Sequence, residues 1–175
     1  TGYHRTKFQA EEHVKASGLR YAIFRPSIMY GEGDAFVNML ADMIRKRARV
    51  PVIGNGRYKL QPVAVGHVAK AFVDCLSREE CVGKTYEVGG PEAIEFNTLL
   101  QAIGETIQRE VRPIHIPAFV MKLAAHVLQR FPSFPLSADQ ITMLLEGSTC
   151  DSTQFYHDFG LTPIPFAEGI SRYLR

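Results

Sequence analysis

Cysteine is scarce in this chain: Cys75, Cys81 and Cys150 are odd in number and form no Cys-x-x-Cys pair. That excludes a disulfide framework, gives no metal site, and fits a reducing compartment. The histidines are equally uninformative as ligands, since His4, His13, His67, His115 and His157 show no metal-ligand spacing or carboxylate pairing. No apolar run is long enough to span a bilayer and no signal peptide is read, so the expected location is cytoplasmic. Charge is nearly balanced at +2, too little to make nucleic acid the main partner. Two further absences weigh more. The sequence opens on Thr1 rather than Met, and no Gly-x-x-Gly-x-x-Gly follows an early strand. The expectation is therefore a truncated chain, or one whose earlier part was lost.

What is present is ordinary for a globular protein: 175 residues, 46% hydrophobic and 22% charged. Periodicity predicts a helix over residues 4–17, closed by Gly18, and an apolar strand over 19–24 stopped by Arg25-Pro26. Asp34 is the expected N-cap of a helix over 35–47, with Phe36, Leu40, Met43 and Ile44 as its stripe. Strands are predicted over 50–53 and 60–65 around the Gly54-Asn55-Gly56 turn, then a helix over 68–76 and a strand over 84–88. Alternation of this kind marks a layered α/β sheet. After Pro91 the chain turns mainly helical: 98–108, a helix from Pro117 to Arg130, one opened by the capping-box pattern at Ser137, then 152–159 and 165–174, with one short strand over 112–116. The predicted organisation is a sheet-forming part over 1–90 and a smaller helical lobe over 91–175.

Tyr3 and Lys7 stand four apart at a helix start, so their side chains share a face. A phenol titrates near ~10 and is a poor acid-base group at neutral pH, but a neighbouring ammonium favours the phenolate. The pair could then exchange a proton with a substrate oxygen. An exposed aromatic beside a solvated lysine is the plainer alternative.

Context raises the motif. The stretch YHRTKFQAEEHVKASGLRYAIFRPSIMYGEGD resembles the segment of extended and atypical short-chain dehydrogenases in which the active-site helix leads to a strand ending in Arg-Pro and a Gly-containing loop. Together with VPVIGNGRYKLQPVAVGHVAKAF, YEVGGPE and SADQITMLL, it resembles the atypical, NAD-dependent epimerase/dehydratase-like subgroup related to complex I alpha-subcomplex subunit nine. The resemblance covers essentially the whole chain. It implies the C-terminal part of a Rossmann-like fold and NAD or NADP as cofactor. It also implies Tyr3 and Lys7 as catalytic and cofactor-binding residues, with Pro26, Ser27 and Ile28 beside the nicotinamide.

Departures from the family pattern matter as much. The catalytic serine or threonine and the glycine-rich phosphate loop are not in the chain, so it alone should hold a dinucleotide poorly. Where nucleotide-sugar enzymes of the group carry an arginine for the substrate diphosphate, this sequence has Leu60, then Gln61-Pro62. A substrate pocket is expected between the loop over 25–33 and the helical tail, with Tyr30, Arg57 and Gln61 as the candidates for lining it and packing or solvation as the alternatives. Arg45, Lys46, Arg47 and Arg49 at a helix end are read as complementing the helix dipole, with phosphate or lipid binding as the alternative. Lys122, His126 and Arg130 recur at four-residue spacing. That helix either packs on its own domain or docks peripherally on a membrane or protein complex. Two functions remain open: an NAD(P)-dependent oxidoreductase or epimerase acting on an unknown small molecule, and a nucleotide-binding accessory or assembly protein of a respiratory or membrane complex.

Overall fold

The computed structural model describes residues 2–47, 49–128 and 138–174; the side chains of Tyr3, residues 124–128 and residues 138–139 lie outside that description. The expectations placed on Ser137, Arg130 and the side chain of His126 also fall outside it. Among the described residues the architecture is α/β, as the alternation of patterns predicts.

The chain opens with α1 (Gly2–Ala16), then β1 (Ile23–Pro26), β2 (Met29–Tyr30), α2 (Ala35–Lys46) and β3 (Arg49–Ile53). Next come β4 (Lys59–Leu60), β5 (Val63–Ala64), α3 (Val65–Cys75), β6 (Thr85–Val88) and β7 (Ile94–Glu95). The last part holds α4 (Phe96–Thr106), β8 (Arg112–Ile116), α5 (Ala118–Leu128), α6 (Ala138–Glu146), α7 (Thr153–Phe159) and α8 (Phe166–Ser171). The strands join in pairs: β1 with β6, β2 with β5 and β3 with β8 run parallel, and β4 with β7 antiparallel.

Local signals explain most of the boundaries. Gly18 takes φ +71 just beyond α1, a conformation that costs glycine little. Asp34 caps α2, its Oδ1 accepting from the Val37 N–H at 2.6 Å. The strand expected over 19–24 sits later and contains Arg25-Pro26 instead of stopping before them. Ile23 and Ser27 donate their N–H groups to Lys84 and Val88 of the β6 side. Alternation then turns the nitrogen of Pro26 away from β6, so proline removes no bond from that ladder. The strand expected over 60–65 is broken into β4 and β5 by Gln61-Pro62.

Among the described residues two large apolar clusters hold the layers together, and a small third joins Ile53 of β3 to Ile141 of α6. In the larger, Leu40 and Ile44 of α2, Val50 and Val52 of β3, Leu99 and Ile103 of α4, and Ile170 of α8 are buried together. Each such side chain contributes about 1.5–3 kcal/mol by leaving water. Residues on both sides of Pro91 share this core. The smaller of the two large clusters is aromatic: Tyr86 lies 5.3 Å from the Phe24 ring and 5.1 Å from Phe159.

Asp158 fastens α7 beside that cluster. Its carboxylate accepts from Lys84 Nζ at 2.7 Å and from the Tyr86 hydroxyl at 3.1 Å, and its carbonyl accepts from Arg78. The Lys84 bond, with His157 next, lowers the carboxyl from 3.8 to about 2. Because the folded value lies below the unfolded one, this stabilisation is complete above about pH 4 and is lost as pH falls towards 2. Asp158→Asn should therefore cost about 2 kcal/mol at pH 7 and flatten the acid limb of the stability curve. Urea unfolding across pH 2–7 measures both effects.

Candidate active-site cleft

Arg25 joins helix to sheet. Its guanidinium donates to Glu11 of α1 through Nε at 3.0 Å and Nη2 at 2.6 Å, and to Glu87 of β6 through Nη1 at 2.8 Å. The Glu11 carboxyl is lowered and the guanidinium raised, in each case chiefly by these hydrogen bonds. The planar fork suits two carboxylates at once, which a lysine could not match. Glu11 is one helical step beyond Lys7, so holding Glu11 also fixes the face of α1 that carries Lys7.

That face opens on a cleft of about 1030 Å³. Lys7 and Phe8 line it from α1; Pro26, Ser27 and Ile28 line it from the end of β1; α6 and residues 147–150 close the far side. Four of the positions expected at a cofactor are thus brought together. Tyr3 is in α1 at the right spacing, but its side chain lies outside the described residues.

Residues 147–150 were not anticipated from the sequence. Ser27 and Ser148 share a hydroxyl–hydroxyl bond of 2.8 Å, and the Ser27 hydroxyl also reaches the Ser148 carbonyl at 3.2 Å. The Ser148 N–H donates to the Lys59 carbonyl at 2.9 Å. Gly147, at φ +80, passes so close to Lys59 that a Cβ would meet its carbonyl. Gly147 after the apolar run ITMLLE is a readable helix stop. The pairing of the next residue, Ser148, with Ser27, 121 positions earlier in the chain, is not readable in that way.

The remaining expected pocket residues do not enter the cleft. Tyr30 is 2% exposed, its ring edge-on to Phe166 and covered by Gly169, where a Cβ would collide with the phenol. Burial, the largest influence, pushes its hydroxyl up to about 12. Packing therefore wins over pocket lining at this position. Gln61 is 8% exposed and both its amide atoms are spent internally: Oε1 accepts from the Cys150 N–H at 2.8 Å, and Nε2 donates to the Gly90 carbonyl at 2.7 Å. Arg57 lines a separate recess with His115 and Asn97. Leu60 does line the cleft, and its apolar side chain offers no donor to a diphosphate. Among the described residues, no cluster of three or more His, Cys, Asp or Glu side chains could hold a metal.

Comparisons with known proteins give the chain its relatives. The model of the RmlD substrate binding domain matches residues 1–143. The chain is 34% identical over 142 residues to the mitochondrial NADH dehydrogenase [ubiquinone] 1 alpha subcomplex subunit 9 of Arabidopsis thaliana, covering 78% of this chain and 35% of that protein. Among solved structures, MoeE5 in complex with UDP-glucuronic acid and NAD superposes with a TM-score of 0.73 at 19% identity, over 98% of this chain and 54% of MoeE5. The UDP-glucose 4-epimerase of Thermotoga maritima, solved with UDP-glucose, gives 0.67 at 20% identity, over 98% and 50%. At such identities the structures speak for the fold alone. The chain spans between about a third and a half of the length of the curated relatives it matches.

The Arg25 fork yields a test. Arg25→Lys keeps the charge but cannot hold both carboxylates, and is expected to lower stability by about 1 kcal/mol, the scale of a solvent-screened network. Hydrogen exchange should quicken over Glu11–Ala16 while α4 stays protected.

Proposed function

The chain belongs to the RmlD substrate binding domain family, and on that premise we propose that its cleft receives the nicotinamide–ribose end of NAD or NADP beside a small-molecule substrate. The full activity in this reading is that of an oxidoreductase or an epimerase/dehydratase-like enzyme, carried by a protein of the relatives' length. The observation that supports it is the convergence of Lys7 with Pro26, Ser27 and Ile28 on one cleft of about 1030 Å³. That is ample for a small ligand, since pockets commonly run to ~300–1000 Å³.

The nicotinamide, when bound, supplies hydride transfer. The chain's own residues do the rest. Tyr3 gives a proton to the substrate oxygen or takes one from it, and Lys7 favours the phenolate and reaches the ribose. Pro26, Ser27 and Ile28 offer backbone beside the ring, because the Ser27 hydroxyl is already committed to Ser148. A nucleotide-sugar substrate gains no support here: at the diphosphate position the cleft presents Leu60.

Leu60 also favours a second reading, that of a nucleotide-binding accessory or assembly protein with little or no turnover. The Arabidopsis relative is by name an alpha subcomplex subunit of a mitochondrial NADH dehydrogenase [ubiquinone], which supports a peripheral place on a respiratory complex. Among the described residues no helix is long and apolar enough to cross a membrane.

The two readings separate on a protein of the relatives' length. NADH and NADPH binding is measured first, then cofactor turnover against a panel of ketones and sugars. For the enzyme, Tyr3→Phe should lower kcat about 100-fold or more while leaving cofactor affinity nearly unchanged, and Lys7→Ala should weaken cofactor binding as well. An activity indifferent to Tyr3→Phe removes the catalytic assignment. Tight cofactor binding without turnover of any substrate decides for the accessory role.

A further inference from the structure

A second recess, of about 610 Å³, is lined by Gly54, Asn55, Arg57, Asn97, His115 and Pro117. It shares no lining residue with the cleft. Its charge is of one sign. Among the described residues no carboxylate lines it, whereas the cleft mixes Lys7 and Arg25 with Glu11, Glu87 and Glu146. Arg57 makes no ion pair among the described residues, although its backbone is pinned, its N–H donating to Asn55 Oδ1 at 3.0 Å.

Asn97 organises the recess. Its Nδ2 donates to the Asn55 carbonyl at 2.9 Å, which leaves Oδ1 facing His115 Nε2 at 3.3 Å. An amide oxygen only accepts, so the contact is a hydrogen bond in the tautomer that protonates Nε2, and in that tautomer Nδ1 is the ring nitrogen left for a ligand. Gly56, at φ +67, makes room for this amide, because a Cβ there would run into Asn97. The imidazole is therefore oriented before any ligand arrives.

An unpaired guanidinium and an oriented imidazole around a recess without carboxylates match the chemistry of a phosphate group. Arginine presents parallel N–H donors to two phosphate oxygens. The imidazole accepts from a P–O–H as the neutral ring, or donates to a P–O⁻ as the cation. We infer that this recess binds a phosphate group, held by Arg57 and His115, with Asn97 as a positioning residue. The inference is independent of what the cleft binds.

Calorimetric titration of the 175-residue chain with inorganic phosphate tests it. One saturable site is expected, weakened at least tenfold by Arg57→Ala and by His115→Ala. Both side chains are exposed, so thermal melting of these variants should match the unaltered chain. Asn97→Asp, which sets a carboxylate against the ligand, should abolish binding. Arg57→Lys should retain part of it. Flotation with vesicles containing phosphatidic acid, against phosphatidylcholine alone, tells a lipid headgroup from a soluble phosphate ester. No saturation with inorganic phosphate and no preference for phosphatidic acid would overturn the site. So would binding that survives both alanine substitutions unchanged.

Discussion

Gln61 and Ser152 are the polar side chains that the described residues bury in this fold, and both close on the same stretch of backbone. The Gln61 carboxamide ties Gly90 to Cys150, while the Ser152 hydroxyl accepts from the Gly89 N–H at 2.6 Å. Three connections that are remote in sequence, those after β4, β6 and α6, are thereby held at one place. Gly89 must be glycine for this, because a Cβ there would press into the Gln61 side chain. Leaving either group unsatisfied would cost about 1–3 kcal/mol, so the junction is an all-or-none arrangement. The position of Cys150, which lines the cleft, follows from it.

What could be read from the sequence was what local chemistry controls. The Asp34 cap, the apolar stripe of α2, the glycine ends at Gly18 and Gly160, and the strand 112–116 depend on a few neighbouring residues, and the structure has them all. Arg25-Pro26 misled because the rule that proline stops a strand holds only where its missing N–H was needed. Gln61 looked like a ligand residue because polarity in the sequence carries no depth. Its burial is set by Gly90 and Cys150, 29 and 89 positions away. The Ser27–Ser148 contact was invisible for the same reason. At the cleft, the short-range pairing of α1 with the residues after β1 and the helical tail as the wall opposite were legible, and the individual residues 147–150 that close it were not.

The two concave regions differ in how they treat charge. In the cleft, Arg25 is neutralised by Glu11 and Glu87, so the charged groups mainly hold architecture and leave Lys7 at the rim. In the recess the fixed element is a neutral amide, and the Arg57 guanidinium makes no ion pair among the described residues. A field of one sign near a small concavity favours an anion, whereas a compensated triad favours shape.

Pro26 has an effect beyond the ladder it spares. Among the described residues β1 has a partner on one side only, and a strand edge in that condition invites pairing by any extended chain. With the Pro26 nitrogen turned outward and carrying no hydrogen, an incoming strand finds a single backbone donor along that rim, at Phe24. Indiscriminate aggregation along the edge is thereby disfavoured, while a partner that brings its own side-chain packing can still add there. The same tertiary amide that lines the cleft thus also limits backbone pairing along this edge.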